Sequence, residues 1–238
     1  EVYGNVILKQ GAVTVTCDQA IQFIARNDAE LIGNVIATQE QTTITTDLGF
    51  YYGNEKRTIS ESGIRLDDGK VILTAVIGEY FFDEDRAFFR DDVRLYDTAS
   101  TLTSDSLMYY KLEDRAVATG NVKIVDEKNI IEADSLEHFR NSRITFANHK
   151  VKISNHDNNV VIYGDHLEDY SERSYTLIDR NPLLIQVDTT EVISDSVLTL
   201  TLDTLIISSQ IMESFRDTMN VFYAKDSVKI IRGDFASS

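Results

Sequence analysis

The sequence predicts an all-β fold of stacked antiparallel strands, and three observations support this prediction. Apolar residues recur every 29 positions along most of the chain, and a fixed period of this size is typical of a repeat array. Within the periodic segments, apolar and polar residues alternate as they do in strands. Val, Ile, Thr, Tyr and Phe dominate these segments, and they are the residues that suit a pleated surface.

Three apolar columns define the repeat. The first contains Val6, Val35, Ile64, Val93, Val122 and Val151. The second, two positions later, contains Leu8, Ala37, Leu66, Leu95, Ile124 and Ile153. The third contains Val15, Ile44, Leu73, Leu102, Ile131 and Val160. Because residues i and i+2 point to one face of a strand, we expect these columns to line one interior wall.

A fourth column is aromatic. It contains Phe23, Tyr52, Phe81, Tyr110 and Phe139, and it resumes at Tyr170 after a two-residue slip. These rings are predicted either to stack as a ladder that caps the sheet or to contact a ligand. An aspartate precedes most of them by five residues, at Asp18, Asp47, Asp105, Asp134 and Asp165. We expect these carboxylates to form turns by bonding their own backbone.

Turn residues recur in register with the columns. The pairs before the first column are Gly4-Asn5, Gly33-Asn34, Ser62-Gly63, Asp91-Asp92 and Gly120-Asn121, where a bulge or corner is expected. Charged segments at 54–57, 83–86 and 112–115 are predicted hairpin tips, and turns near 67–69 and 126–128 mark the opposite ends. Each repeat therefore supplies two bent strands. Turns at both ends favour an antiparallel meander, with a parallel β-helix or solenoid as the alternative.

The repeats predict one domain over residues 1–238. Regular repeats cover 1–180, irregular rungs cover 181–223, and the repeat resumes over 224–238, where Ala224-Lys225-Asp226-Ser227-Val228 follows the spacing of residues 118–122. The chain begins and ends inside repeats, so we expect a trimmed piece of a longer precursor.

Composition excludes several classes of function. Asp and Glu total 39 against 23 Lys and Arg, a formal charge of -16, which repels a nucleic acid backbone. No apolar stretch reaches the roughly 18 to 20 residues of a membrane-spanning helix. Cys17 is the only cysteine, so no internal disulfide forms, and we expect it to be a small buried apolar group.

No enzyme motif is present, and the sequence predicts a non-enzymatic protein without a cofactor. GxSxG, GxGxxG and Walker sequences are absent, and the four histidines at 138, 149, 156 and 166 lack the spacing of a zinc site. Acidic pairs such as Asp83 and Asp85 lie in charged tips, where solvation is the default. No catalytic or metal-binding residue is therefore predicted, and a β-helical polysaccharide-acting enzyme is the least favoured alternative.

The recurring phrases resemble those of the OstA/LptA family of lipopolysaccharide-transport proteins. Gly120-Asn121-Val122-Lys123-Ile124 is followed by Ala133-Asp134-Ser135-Leu136, and residues 91–95 are followed in the same way by 104–107. The resemblance covers residues 1 to 180 and again 224 to 235. The chain departs from the pattern at Val76, which replaces the Asp, at Gly49 and Gly78, which replace the Leu, and through 181–223.

The resemblance implies an elongated open β-jellyroll, V-shaped in section, whose apolar interior holds lipopolysaccharide acyl chains in the periplasm. It implies transport toward the outer membrane, with the protein either free in the periplasm or associated with that membrane. The implied partners are lipopolysaccharide or a similar lipid, and further copies or other jellyroll transport components joined head to tail by strand addition.

The residues expected to contact lipid are those of the three apolar columns except Ala37. They are Val6, Leu8, Val15, Val35, Ile44, Ile64, Leu66, Leu73, Val93, Leu95, Leu102, Val122, Ile124, Ile131, Val151, Ile153 and Val160. A structural or adhesive β-solenoid with a closed core and no lipid cargo is the alternative.

Overall fold

The computed structural model describes residues 1–10, 12–155, 157–194, 197–216, 221–233 and 235–237. These residues form β-strands and connecting turns, with one short 3-10 turn at Ser171–Arg173. All strand pairings in this part of the chain are antiparallel. The predicted all-β antiparallel fold is confirmed, and the parallel alternative is wrong. No helix long and apolar enough to span a bilayer occurs among the described residues.

The chain divides into two compact units, residues 1–122 and 123–238. The strands of the first unit are β1 (Val2–Gln10), β2 (Val13–Phe23), β3 (Asp28–Gln39), β4 (Thr42–Tyr52), β5 (Arg57–Ser60), β6 (Ile64–Asp67), β7 (Ile72–Ala75), β8 (Ile77–Phe81), β9 (Arg86–Tyr96) and β10 (Thr101–Tyr110). Strand β11 (Arg115–Val125) includes the boundary between the units.

The strands of the second unit are β12 (Asn129–Phe139), β13 (Ile144–Asn155), β14 (Val160–Tyr170), β15 (Tyr175–Asp179), β16 (Leu183–Ser194), β17 (Val197–Ser208), β18 (Ile211–Phe215), β19 (Val221–Lys225), β20 (Lys229–Arg232) and β21 (Phe235–Ser237). A single domain over the whole chain stays a prediction.

The long strands bend where the sequence predicts corners. Gly33 and Asn34 have φ of 74° and 48°, and Gly120 and Asn121 have 77° and 48°. The strand register shifts at these bends, for example between Ile32 and Val35, as a β-bulge requires. Positive φ favours Gly, Asn and Asp, which explains the composition of the recurring pairs.

Some strands break completely at the bend. β5 and β6 both pair with β4, β5 then pairs with β8, and β6 pairs with β7. In the second unit, Arg180 and Asn181 have positive φ and Pro182 follows, between β15 and β16. Each bent strand thus has a tip half, which ends at a charged hairpin tip, and a turn half, which ends at the opposite turn.

The buried core lies at the bends. In the first unit, Leu73 and Val93 of the turn halves pack with Phe89 and Leu107 of the tip halves. The first predicted column lies here, since Val6, Val35, Val93, Val122 and Val151 are at most 5% exposed. Cys17 is also buried, at 3% exposed, as predicted.

Candidate functional site

The second and third predicted columns merge into one apolar row in the first unit. Each residue of this row is the direct cross-strand partner of the next. The row consists of Leu8, Val15, Ala37, Ile44, Leu66, Leu73, Leu95 and Leu102. At a strand spacing of about 4.8 Å, its seven steps span about 34 Å. We call it the central row of the first unit.

The second unit has a central row of its own. It consists of Ile131, Ile153, Ile162, Leu184, Ile207 and Ile230. Val160 was predicted in this row, but Val160 pairs with Asn155 and Gln186, and Ile162 takes its place because of the two-residue slip. Leu184 and Ile207 were missed because the sequence period lapses there, and Ile230 was not included in the predicted columns although the repeat resumes at residue 224.

The central rows remain accessible, in contrast to the first column. Most of their side chains are half-buried, and Leu8 is 40% exposed, while Leu73 and Leu184 are buried at 4% and 7% exposed. Ile124 is also half-buried, and Ile64 is the half-buried member of the first column. The inner face of each unit therefore offers apolar surface that the protein itself does not seal.

A second apolar wall faces this surface, and the sequence prediction did not include it. It comes from the tip halves of the strands. Its members include Phe89, Leu107, Leu136, Leu167, Ile178 and Met212, which are at most 4% exposed. The sequence does contain a signal for Leu107, Leu136 and Leu167, since each of these leucines ends one of the recurring Asp-x-Leu phrases. We call the surface between this wall and the central row the trough of each unit.

Two tyrosines line the tip side of the trough in the first unit. Tyr80 and Tyr109 pack against the buried cluster, and their hydroxyls donate to Asp85 at 2.9 Å and Asp114 at 2.8 Å. Burial, followed by the hydrogen bond to Asp85, raises the pKa of Tyr80 to about 12. These side chains therefore give the trough an apolar ring surface while their hydroxyls remain satisfied at the hairpin tips.

The recurring aspartates connect neighbouring strands. Asp18 accepts a hydrogen bond from Asn34 Nδ2 at 2.8 Å, and Asp105 accepts one from Asn121 Nδ2 at 2.9 Å. The expectation that they bond their own backbone is therefore wrong for Asp18 and Asp105, whose partners lie in the bulge of the next strand. A Cβ on Gly120 would overlap the Asp105 carboxylate. The position of this carboxylate therefore also explains why residue 120 is a glycine.

The departures from the Asp pattern follow the chemistry of the adjoining bulge. Val76 replaces the Asp where the next bulge is Asp91-Asp92, and its N–H donates to the Asp91 carbonyl at 2.9 Å. Asp134 instead meets a basic bulge residue, Lys150, at 3.1 Å. An acid is thus absent where the neighbouring bulge is already acidic, which avoids like-charge repulsion.

The aromatic column lies on the face opposite the trough. Phe81 and Tyr110 directly follow Tyr80 and Tyr109, so they point to the other side of their strands. Guanidinium groups cover these rings at 4.0 to 5.6 Å from the ring centroids, in the pairs Phe23–Arg26, Tyr52–Arg57, Phe81–Arg86, Tyr110–Arg115 and Tyr170–Arg173. These contacts support the structural ladder, and contact of these rings with a ligand stays a prediction.

Titratable side chains do not assemble into a metal centre in the part of the chain that the structure describes. His138 Nδ1 bonds Thr145 at 2.9 Å, and His166 bonds Asn148 at 2.7 Å and Glu168 at 3.2 Å. His156 lies outside the described residues. His138 and His166 are therefore engaged in local hydrogen bonds between and along strands.

Comparison with solved structures finds LptH, the LptA homologous periplasmic component of the lipopolysaccharide transport device of Pseudomonas aeruginosa. The two chains are 16% identical with a TM-score of 0.44, and the match covers 48% of this chain and 94% of that chain. Among curated proteins, no sequence matches this chain.

Comparison with protein families gives two matches to the OstA-like protein family, over residues 1–91 and 78–165. Together these matches extend from residue 1 to residue 165 and cover more than half of the chain. They contain the central row of the first unit and the Asp-x-Leu phrases that end at Leu107 and Leu136. This chain is a member of the OstA-like protein family.

Proposed function

We propose that this protein binds the acyl chains of lipopolysaccharide in its trough and carries the lipid across the periplasm toward the outer membrane, without catalysis. The observation that carries the proposal is the continuous central row of the first unit, whose apolar side chains share one face and are mostly half-buried. Membership in the OstA-like family supports lipopolysaccharide as the lipid.

Burial of the lipid tails supplies the binding energy. A buried methylene group contributes about 0.8 kcal/mol, so several acyl chains bind without specific polar contacts. Neighbouring positions of the central row differ only among Leu, Ile, Val and Ala. A tail that moves by one strand therefore exchanges one apolar contact for a similar one, and this near-equivalence permits movement along the row.

The phosphorylated headgroup stays in solvent in this proposal. The formal charge of -16 repels phosphate over most of the surface, whereas the trough offers apolar side chains to the tails. The terminal strands β1 and β21 each pair with one neighbour among the described residues, β2 and β20. Their free edges are suited to head-to-tail addition of another copy or of another jellyroll transport component.

Binding of intact and deacylated lipopolysaccharide tests the proposal. The purified chain is expected to bind the intact lipid and to leave the deacylated form in solution, because only the tails enter the trough. Equal binding of both forms would assign recognition to the saccharide. Failure to bind either form would favour the alternative of a structural or adhesive scaffold.

Two adjacent residues of β9 distinguish the inner from the outer face. Leu95 is a half-buried member of the central row, while Tyr96 is 37% exposed on the opposite face. Leu95→Asp is expected to weaken lipopolysaccharide binding by about tenfold or more. The substitution removes an apolar contact with the lipid and requires a carboxylate to lose water when the lipid binds. Tyr96→Asp is the matched control and should retain binding; equal losses would exclude a site on the inner face.

A further inference from the structure

The β16–β17 hairpin extends beyond the strands that flank it. Its twelve residue pairs run from Leu183–Ser208 to Ser194–Val197. On one side, β14 pairs only with Leu183–Gln186, and on the other side β20 pairs only with Leu205–Ser208. Residues 187–194 therefore form a strand edge of about 27 Å that no other described strand covers.

The direction of the backbone groups along this edge is fixed at its base. The N–H of Val187 donates to the Asn159 carbonyl at 3.2 Å, on the side of β14. Because N–H directions alternate along a strand, the N–H groups of Thr189, Glu191 and Ile193 point to the same side. They lie beyond the last residue of β16 that pairs with β14, and they are available to an added strand.

A groove lies beside the start of this edge. It has a volume of about 520 Å³, and its lining includes Asn159, Val161, Tyr163, Val187 and Thr189. Tyr163 is 40% exposed, and the only cation in the lining, Lys152, is paired with Glu132 at 2.9 Å. The groove therefore offers an apolar and neutral polar surface for the side chains of a strand that enters along β16.

Charge indicates what kind of strand fits. Residues 187–204 contain the four acids Asp188, Glu191, Asp195 and Asp203 and no Lys or Arg. At the base of the hairpin, Arg232 is already paired with Asp203 at 2.7 Å and with Asp188 at 3.5 Å. A second copy of this acidic chain and an anionic lipid surface are both disfavoured by repulsion.

We propose that the β14-side edge of residues 187–194 is a docking site for an extended segment of another protein, one that alternates apolar with basic residues. The segment adds to β16 as a further antiparallel or parallel strand, through main-chain hydrogen bonds. The acidic composition of residues 187–204 favours basic side chains in the segment, and its apolar side chains enter the groove. This site is separate from the trough and from the terminal strands.

A binding experiment with a labelled octapeptide of alternating valine and lysine tests the proposal. Fluorescence anisotropy measures binding of this peptide to the full chain. The Thr189→Pro variant removes an outward N–H without disturbing the hairpin's own bonds, and it is expected to weaken binding at least tenfold. Thr189→Ala keeps the N–H and should bind like the wild type. Circular dichroism and binding of lipopolysaccharide check that both variants are folded.

Two further probes decide between occupants. An octapeptide of alternating valine and glutamate, and a valine–lysine peptide N-methylated on alternate residues, are both expected to fail to bind. Unchanged binding of the peptide by Thr189→Pro, or binding of the N-methylated peptide, would overturn strand addition at this edge. Concentration-dependent dimers lost in Thr189→Pro, or binding of anionic phospholipid vesicles lost in that variant, would overturn the assignment to a basic protein segment.

Discussion

At the scale of single residues, glycine and isoleucine compensate for each other at one bend. Three repeats have valine in the first column and leucine in the Asp-x-Leu phrase, as with Val93 and Leu107. One repeat has Ile64 and Gly78 instead. A Cβ on Gly78 would lie 2.8 Å from Ile64 Cδ1 and 2.9 Å from its Cγ2, so the larger side chain occupies the space that the leucine fills elsewhere.

Gly78→Ala is therefore expected to lower the free energy of unfolding by about 1 to 3 kcal/mol through overpacking. Gly49→Ala is the matched control, because its Cβ would meet Thr46 and Leu31 only at ordinary distances of 3.9 and 4.0 Å. Denaturant unfolding measures both. The double variant Ile64→Val/Gly78→Ala should recover part of the loss, and an additive loss would contradict compensation between the two positions.

The replacement of the recurring aspartate by Val76, next to the acidic bulge Asp91-Asp92, gives a second prediction. Val76→Asp places a carboxylate beside Asp91 and Asp92 and is expected to lower the free energy of unfolding relative to Val76→Asn by about 0.5 to 1 kcal/mol. Because the repulsion is between solvent-exposed charges, the difference should shrink as salt is added. A difference that is independent of salt would mean that charge does not select valine at this position.

Alkaline pH is expected to destabilise the protein through its buried tyrosines. Burial is the largest cause that raises the pKa of Tyr80 and of Tyr175 to about 12, aided by hydrogen bonds to Asp85 and Glu213. A folded-state pKa above the unfolded value of about 10 means that stability is fully present below pH 10 and is lost as the pH rises toward 12.

Titration of tyrosinate absorbance measures this effect. The native protein should show an upper stage near pH 12 that shrinks in Tyr80→Phe, while the chain in denaturant should titrate in a single stage near pH 10. An unchanged upper stage in Tyr80→Phe would show that Tyr80 does not belong to it.

At the scale of secondary-structure elements, an alternating ladder of arginine and aromatic rings connects the tip halves of the first unit. Tyr52, Arg57, Phe81, Arg86 and Tyr110 are successive cross-strand partners. Acidic residues of the hairpin tips pair with the arginines, as Glu55 does with Arg57 at 2.9 Å and Glu113 with Arg115 at 2.6 Å. The charged tips therefore orient the guanidinium groups over the rings.

Arg86→Gln should destabilise the β8–β9 hairpin by about 1 kcal/mol, because it removes the cation from the Phe81 ring at 4.0 Å. Arg94→Gln, on the same strand, is the control, since Arg94 is an exposed partner of Asp92 at 3.0 Å and should contribute less than about half of that. Hydrogen exchange at residues 77–90 measures the local opening. Equal effects of the two variants would exclude a contribution from the ladder.

Sequence reasoning predicted the strands and their bends because both depend on local chemistry. Alternation specifies the inner face, and pairs such as Gly120-Asn121 specify positive φ. The merging of the second and third columns into one row depends on the register between strands. Local sequence patterns do not specify that register. The replacement of Val160 by Ile162 and the extension of β16 beyond β14 have the same origin.

At the scale of the whole molecule, the proposed function depends on apolar residues that the fold gathers on the inner face of each unit but does not fully bury. The first column stabilises the bends, since Val93 and Val151 are each 1% exposed. The side chains of the central rows are more exposed than this, as Leu95 and Leu102, which are half-buried, illustrate. In the proposed function, stability and lipid binding therefore depend on separate columns of the same repeat.

Photo-crosslinking to lipopolysaccharide on the β9–β10 pair tests this claim most directly. Leu95 and Leu102 are direct partners in the central row, and Arg94 and Thr103 are the adjacent partners on the outer face. A photoreactive side chain at either of the first two positions is expected to crosslink the lipid, and one at either of the last two is not. Crosslinks from Arg94 and Thr103 with none from Leu95 and Leu102 would contradict a lipid-binding trough.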